Sequence, residues 1–317
     1  MSALPLLALT GPTATGKTEM ALRVAREVGG EIVSVDAFQV YRGMEIGTAQ
    51  PTPEERQGVR FHLVGERDPR EALTVADFRA QAEVAIAEIA ARGRLPILCG
   101  GTGLYLRALL RHFRFPPAPS PESREIRRRL QEEATAQGPA ALHLRLQAVD
   151  PASAARISPA DERRIVRALE IWELTGAPAS ELSGVDRAPA IRYNDSTYVL
   201  ACPRAALYQR IEQRVERMLA AGWLGEVERL RAAGLTPDVA ALRALGYADL
   251  FRVLEGLTTP ETAAEAIQRA TRQFAKRQLT WFRRDWGFTW MTWETPAQFE
   301  RFADHPCRVA STLREQL

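Results

Sequence analysis

The sequence predicts an α/β fold in which helices flank a parallel sheet and a mainly helical insertion interrupts the core. Short apolar runs typical of buried strands alternate with one-faced amphipathic helices through the first third of the chain. A proline-rich stretch then ends this alternation, and helical patterns follow it. With 317 residues, of which 46% are hydrophobic, the chain is long enough for about two domains with a sizeable core.

Each strand of the predicted sheet is a short apolar run that is bounded by polar or turn-forming residues. The helix predicted for Glu19 to Val28 and the one for Ala76 to Ala91 carry apolar residues at a spacing of three and four. Strands that alternate with helices of this kind are typical of parallel sheets covered on both faces. The four runs are Leu6–Leu9, Ile32–Val35, Pro96–Cys99 and Tyr198–Cys202.

The insertion is predicted for residues 113–196, which leaves residues 1–112 and 197–317 as the core domain. Residues 113–123 contain four prolines and are interpreted as a linker. Residues 122–137 and 161–175 are predicted helices. A capping box formed by Ser158 and Asp161, with Pro159 in the first turn, would begin the second helix. A loop is predicted from Gly176 to about Asn194, and mostly helical sequence follows Cys202.

Composition excludes several classes of protein. The three cysteines, Cys99, Cys202 and Cys307, are too few and too widely spaced for a disulfide framework or a zinc site. The apolar run Leu4–Leu9 is too short to cross a bilayer and lacks the basic flank of a secretory signal. We therefore expect a cytoplasmic protein with no membrane partner. Arginine dominates the basic residues, and the only two lysines are Lys17 and Lys276, which suggests sites that need an ammonium group.

The sequence GPTATGKT at 11–18 is a phosphate-binding loop between a predicted strand and a predicted helix. Its backbone N–H groups and the helix N-terminus form an anion cradle. Lys17 adds a positive charge, and the Thr18 hydroxyl can hold Mg²⁺. The motif predicts a diphosphate ligand and makes the fold P-loop NTPase-like. The loop residues are Gly11, Pro12, Thr13, Ala14, Thr15, Gly16, Lys17 and Thr18.

Two further strand ends carry candidate ligand-binding residues. The strand Pro96–Cys99 continues into a glycine-rich segment that includes Thr102 and has no carboxylate, unlike a motor ATPase. This segment fits a close approach to a ligand and a plain strand-to-helix turn equally well. The strand Ile32–Val35 ends at Asp36, which can be a Mg²⁺ ligand, a general base or a helix cap. Asp36 and Gln39 together also suit the hydrogen-bonding edge of a nucleobase.

Three predicted helices have basic faces. Each face taken alone is typical of a solvated surface, but three of them favour a polyanionic partner. The members are Arg163, Arg164 and Arg167 in the insertion, then Arg210, Arg214 and Arg217, and finally Arg272 and Lys276.

Taken together, the motifs resemble the tRNA dimethylallyltransferases of the bacterial type. The matching segments occur in order and span nearly the whole chain. They are GPTATGKT (11–18), SVDAFQVYRGMEIGTAQP (34–51), CGGTGLY (99–105), ERRIVRALE (162–170), LRALGY (242–247) and TRQFAKRQLTWFR (271–283). The resemblance implies transfer of a dimethylallyl group from dimethylallyl diphosphate to N6 of adenosine 37 in tRNA, with release of diphosphate and use of Mg²⁺. We expect the enzyme to act as a monomer.

The resemblance also implies residue roles. Asp36 would be the general base, Thr102 would lie near the bridging oxygen of the diphosphate, and Arg214 would bind the leaving group. The phosphate loop would bind the donor, with Thr18 toward the metal. Ala37 stands where the family usually has serine, which removes one hydroxyl contact. The tRNA contacts implied are Asp36, Ala37, Phe38, Gln39, Arg127, Arg163, Arg164, Ile165, Val166, Arg167, Arg243, Gly246, Tyr247, Arg272, Gln273, Lys276 and Arg277.

Two other functions use the same features. A small-molecule or nucleotide kinase would use the phosphate loop on ATP, although a small acceptor would not require a basic insertion. A nucleotide-gated RNA-binding switch would use the loop and the basic faces without catalysis, and would not depend on the Asp36 carboxylate.

Overall fold

The computed structural model describes residues 3–111, 113–115, 120–182, 184–185, 193–284 and 287–317. They form two compact units, Met1–Leu110 with Ala190–Leu317 and Arg111–Pro189. The insertion expected from the sequence, residues 113–196, is therefore placed a few residues too late at both ends. No helix within the described ranges combines the length and apolarity needed to cross a membrane.

The larger unit is built on a six-stranded sheet in the order β3-β2-β4-β1-β7-β8, and every neighbouring pair is parallel. The predicted α/β class is confirmed. β3 and the edge strand β8 were not predicted, because each is short and β8 is mostly exposed. The strands are β1 (Leu4–Thr10), β2 (Glu31–Ser34), β3 (Phe61–His62), β4 (Pro96–Gly100), β7 (Tyr193–Ala201) and β8 (Thr289–Thr292).

Helices cover both faces of this sheet, as expected when parallel strands carry apolar residues on both sides. One face packs on α1 (Lys17–Val28) and the C-terminal α14 (Pro296–Arg314), and the core there includes Met20, Val24 and Phe299. The other face packs on α3 (Val75–Ala91) and α4 (Gly103–Leu110). The short helix α2 (Pro53–Arg56), a single capped turn, lies between β2 and β3 along the chain.

A helical layer follows β7 and encloses a third apolar cluster. This cluster joins Tyr41 and Met44, from the segment after β2, to Trp223, Tyr247 and other helical residues. The segment after β2 is thereby fixed against helices that come much later in the chain. The helices are α10 (Arg204–Ala220), α11 (Trp223–Ala232), the 3₁₀ turn Ala240–Arg243, α12 (Tyr247–Leu254) and α13 (Pro260–Phe282). The predicted start of α13 at Thr259 and Pro260 is confirmed.

The smaller unit is mainly helical, with its own apolar core that includes Leu130, Leu142 and Leu169. Two short strands pair antiparallel beside the helices. The elements are β5 (Phe113–Arg114), α5 (Pro121–Gln137), α6 (Pro139–Val149), α7 (Pro151–Ala154), α8 (Glu162–Thr175), α9 (Ala179–Leu182) and β6 (Gly184–Val185).

Three expectations for this unit are corrected. The cap of α8 is Asp161, whose side chain accepts from the N–H of Arg164, so Ser158 and Pro159 lie before the helix. The predicted linker begins with β5, and α5 already starts at Pro121, since proline suits a first helical turn. The predicted loop after Gly176 holds α9 and β6. Residues 112, 116–119, 183, 186–192 and 285–286 lie outside the described ranges.

Candidate functional site

The phosphate loop follows β1 and leads directly into α1, as the motif predicts. Gly11 has φ +132°, and a Cβ there would lie 2.3 Å from the carbonyl oxygen of Leu200, so only glycine fits. Gly16 precedes α1 with φ +89°. The Thr15 hydroxyl donates to the Pro12 carbonyl at 2.9 Å, which closes the turn. The loop thus presents the N-terminus of α1 as an anion site.

Side chains from distant elements hold the backbone of this loop. Arg210 Nε donates to the Ala14 carbonyl at 2.8 Å, and the guanidinium lies over the Trp293 ring. The Trp293 indole N–H donates to the Thr15 carbonyl at 3.1 Å. Because side chains from other elements hold these two carbonyls, the conformation of the loop is fixed in the absence of a ligand. Sequence analysis placed Arg210 on a basic helix face, and the structure shows in addition that its side chain supports the phosphate loop.

The ammonium of Lys17 is enclosed by the loop. Its Nζ donates to the Pro12 carbonyl at 2.5 Å. Burial, with a smaller contribution from nearby Arg214, lowers the pKa of Lys17 to about 8, and Cys99 and Asp36 act in the opposite direction. Burial likewise raises the pKa of the Cys99 thiol to about 11, so this cysteine is held as an unreactive thiol. A bound diphosphate would place negative charge against this ammonium.

Asp36 follows β2 and begins a tight turn. Its Oδ1 accepts from the N–H groups of Phe38 at 2.9 Å and Gln39 at 3.3 Å. These donors fix the carboxylate and leave Oδ2 to take up a proton. Thr102 lies beside this turn, since its Oγ1 accepts from the N–H of Ala37 at 3.2 Å. The structure therefore brings Asp36 and Thr102 together, and the third predicted catalytic residue, Arg214, lines the same cavity.

Asp36 and Thr102 line a largely apolar cavity of about 370 Å³, which we call the acceptor cavity. Phe38, Phe274 and Trp281 contribute aromatic rings to its wall. Aromatic walls with a few polar groups are typical of pockets for planar ligands. The main remaining lining residues are Thr13, Gly47, Thr48, Gly101, Arg214, Met218, Trp223, Ile267, Arg277 and Gln278.

A second cavity of about 670 Å³, the donor cavity, is lined by four residues of the phosphate loop and by three arginines of α10. They are Ala14, Gly16, Lys17 and Thr18, with Arg210, Arg214 and Arg217. Arg214 and Met218 line both cavities. Burial lowers the pKa of Arg214, with the Asp36 carboxylate acting in the opposite direction. The guanidinium is thus placed between the candidate base and the anion cradle.

One wall of the acceptor cavity depends on residues that sequence analysis missed. Glu226, which is 1% exposed, accepts from the N–H groups of Ile46 at 2.7 Å and Gly47 at 3.0 Å. Tyr247 donates its hydroxyl to the same carboxylate at 2.8 Å. Burial raises the pKa of Glu226, against the opposing effect of these donors. Glu226 lies on a helix far along the chain, and no motif marks it.

The predicted tRNA-contact residues of the larger unit divide into exposed and buried groups. Gln273, Lys276 and Arg277 are exposed on α13, and Arg243 is exposed on the 3₁₀ turn. Arg272 pairs with Glu212 at 2.8 Å. Tyr247 is fully buried, and Gly246 lies buried under the Trp223 ring. Tyr247 and Gly246 thus form part of the core of the larger unit, and their contacts with tRNA stay a prediction.

The smaller unit has an arginine cluster around one buried carboxylate. Glu170, which is fully buried, receives two hydrogen bonds from Arg127 at 2.9 and 3.0 Å and also pairs with Arg167. Arg163 and Arg164 are exposed, and Arg164 pairs with Asp161 at 2.8 Å. Ile165 and Val166 are buried in the core of the unit, and the contact of this segment with tRNA stays a prediction.

The described residues around the phosphate loop suit a magnesium ion that is bound mainly by the phosphates of a ligand. Within the described ranges no group of three or more His, Cys, Asp and Glu side chains could hold a metal. Mg²⁺ commonly binds through substrate phosphates and one or two protein oxygens. The Thr18 hydroxyl in the donor cavity can supply such an oxygen.

These features define a P-loop protein with an anion cradle beside an aromatic cavity that contains a fixed carboxylate. A family model described as IPP transferase matches residues 39–285. A protein of Symbiobacterium thermophilum named tRNA dimethylallyltransferase is 49% identical over 96% of this chain and 95% of that protein. One from Geobacter sulfurreducens with the same name is 46% identical and covers 93% of each.

Solved structures agree with this match. The full-length tRNA isopentenylpyrophosphate transferase from Bacillus halodurans is 37% identical, has a TM-score of 0.69 and covers 98% of both chains. A eukaryotic dimethylallyltransferase acting on tRNA is 25% identical and has a TM-score of 0.79. The aligned region covers 96% of this chain and 77% of the eukaryotic chain. The chain belongs to the IPP transferase family, as the sequence motifs predict.

Proposed function

We propose that this protein transfers a dimethylallyl group from dimethylallyl diphosphate to N6 of adenosine 37 in tRNA. Family membership makes the chain a prenyl-transferring enzyme, and its curated relatives are named for this reaction. The observation that carries the assignment of residues is the arrangement of the two cavities, which share the Arg214 side chain. The donor cavity takes the diphosphate, and the acceptor cavity takes the adenine and the prenyl group.

The reaction requires a bond from N6 to the allylic carbon while the bond from that carbon to the diphosphate oxygen breaks. The exocyclic amine is a poor nucleophile, so Asp36 accepts its proton as the new bond forms. Oδ1 of Asp36 is engaged by the amides of Phe38 and Gln39, which fixes the carboxylate for this step. Thr102, whose hydroxyl accepts from the N–H of Ala37 in the same turn, would face the bridging oxygen of the donor, as the resemblance to the family implies.

Negative charge develops on the departing diphosphate. The N-terminus of α1, Lys17 and Arg214 stabilise this charge, and they are already in place in the free protein. Mg²⁺ bound through the phosphates and Thr18 would neutralise further charge. The diphosphate then leaves by the donor cavity.

An adenine within the anticodon loop must leave its stack to enter the acceptor cavity, at a cost of a few kcal/mol. The rings of Phe38, Phe274 and Trp281 replace the lost stacking. Arginines on the exposed surfaces bind phosphates, which position the RNA without reading its sequence. We further propose that the protein is a cytoplasmic monomer.

The assay for this function uses purified protein, Mg²⁺, radiolabelled dimethylallyl diphosphate and unmodified tRNA, without ATP. We expect label in the tRNA. An anticodon stem-loop with guanosine in place of adenosine 37 is the matched control and should stay unlabelled. Phosphorylation of a small acceptor from ATP, with no labelled tRNA, would support the kinase instead.

The kinase has little support from the structure. β4 ends at Gly100 and continues into Gly101, so no carboxylate follows this strand to bind a nucleotide-associated metal. The acceptor cavity is largely apolar and has aromatic walls. These features fit a prenyl group and a nucleobase better than a phosphorylated acceptor.

A further inference from the structure

Gln278, on α13, links two loops that belong to different parts of the site. Its side chain is 7% exposed. Oε1 accepts from the backbone N–H of Thr13 at 2.9 Å, and Nε2 donates to the carbonyl of Gly101 at 2.9 Å. A Cβ at position 101 would lie 2.4 Å from Nε2, so any larger residue there would push the Gln278 amide out of this position. Both ends of the amide are therefore used.

Each of these loops leads to one partner of the reaction. Thr13 belongs to the phosphate loop, which binds the donor. Gly101 precedes Thr102, whose hydroxyl accepts from the N–H of Ala37, next to the candidate base Asp36. The side-chain amide of Gln278 is thus hydrogen-bonded both to the phosphate loop and to Gly101. Gly101 adjoins Thr102, which is hydrogen-bonded to the turn that holds Asp36.

The helix that carries Gln278, α13, also lines the acceptor cavity. Phe274, one turn before Gln278, and Arg277 line the acceptor cavity, and Lys276 is exposed beside them. Trp281 packs against Gly103, where a Cβ would lie 2.3 Å from the ring. A shift of α13 on binding of the acceptor must therefore displace both loops or break the Gln278 hydrogen bonds.

We propose that Gln278 is a positioning residue that couples binding of the tRNA to the affinity of the phosphate loop for the donor. This inference rests on the proposed function. Because coupling between two sites is reciprocal, the donor would tighten binding of the tRNA by the same factor. The two substrates would then assemble as a pair, which limits hydrolysis of the donor without an acceptor.

The coupling is measured by calorimetry with inorganic pyrophosphate and Mg²⁺, in the presence and absence of an unmodified anticodon stem-loop. Pyrophosphate does not react with this RNA. We expect the stem-loop to tighten pyrophosphate binding by about fivefold or more in the wild-type chain. In Gln278→Leu, which is one atom shorter but of comparable bulk and has no hydrogen-bonding groups, the change should fall below about twofold. Gln268→Leu, on the same helix and away from the cavity lining, should keep the wild-type factor.

Gln278→Glu distinguishes a bridging role from a general loss of packing. The ionised carboxylate can accept from Thr13 but cannot donate to Gly101, whereas the protonated form can do both. Burial at this position raises the pKa of a carboxyl group above its usual value of about 4.3, so coupling in this variant should recover as the pH falls from 8 to about 5. Thermal melting is used to check that all variants are folded. A loss that does not change with pH would refute the bridge.

The possible failures are distinct. A wild-type chain that does not label tRNA refutes the proposed function. A wild-type chain that transfers the label but shows no coupling, or a Gln278→Leu variant that retains it, refutes this inference alone.

Discussion

Lys17→Met is expected to stabilise the free protein while abolishing binding of the donor. In the folded chain, burial lowers the pKa of Lys17 from 10.5 to about 8. Each unit of difference corresponds to about 1.4 kcal/mol, so the buried charge costs the folded state about 3 kcal/mol at neutral pH. Partial exposure of the side chain and the lost hydrogen bond to Pro12 reduce this, and we expect a net gain of about 1 to 2 kcal/mol.

The dependence on pH has a defined sign. Below pH 8 the lysine is protonated in both states, and the full cost of burial is present. Between about pH 8 and 10.5 the unfolded chain holds more protons than the folded one, so the stability of the wild-type chain rises with pH. Methionine does not titrate. The stability difference between the variant and the wild-type chain should therefore be largest at pH 7 and should shrink toward pH 10.

Urea unfolding at pH 7 and pH 9.5 measures this difference. The matched control is Lys276→Met, the same change at the other lysine, which is exposed and should alter stability by less than about 0.5 kcal/mol. Pyrophosphate should then stabilise the wild-type chain and leave Lys17→Met unaffected. The reasoning is refuted if Lys17→Met is less stable than the wild-type chain at pH 7, or if the difference is the same at both pH values.

Two further predictions concern the wall of the acceptor cavity and the arginine cluster of the smaller unit. Gly47→Ala should lower stability by about 1 to 3 kcal/mol and raise KM for tRNA, because the new Cβ would lie 2.1 Å from Trp223 Nε1 and 2.4 Å from the Tyr247 hydroxyl. Gly225→Ala, inside α11 where a Cβ has room, is the control and should be neutral or stabilising in the same melting experiment. Arg167→Ala should weaken tRNA binding and reduce the slope of log Kd against log salt by about 1, measured by filter binding. Arg128→Ala removes an exposed arginine paired with Glu125 and Glu132 and should leave the slope unchanged, so equal slopes for Arg167→Ala and the wild-type chain would contradict a phosphate contact.

Local sequence signals were sufficient for the sheet core and the phosphate loop. The four predicted strands and the helix after the loop are present, because each signal is carried by neighbouring residues. Asp36 could be placed at the cleft because carboxyl ends of parallel strands meet at one edge. The resemblance to the family added Arg214, which spacing alone left on a basic face.

Contacts between distant parts of the chain could not be predicted. Arg210 has the spacing of a surface arginine, yet it binds the carbonyl of Ala14. Glu226 lies in a helix with no motif, and Gln278 lies in a matching motif that does not mark its partners; their roles depend on backbone groups 180 and 265 residues away. Ile165 and Tyr247 fall within matching motifs, but their side chains are buried. A motif locates a segment, and only the packing decides which of its side chains face a ligand.

The most direct test of the central claim is the single-turnover rate of transfer by Asp36→Asn, with donor and tRNA both saturating. Asparagine keeps an oxygen that can accept from the amides of Phe38 and Gln39, but it cannot accept the proton from N6. We predict a rate lower by about 10² to 10⁴, with an affinity for pyrophosphate equal to or higher than that of the wild-type chain. A rate close to that of the wild-type chain would contradict the assignment of Asp36 as the base.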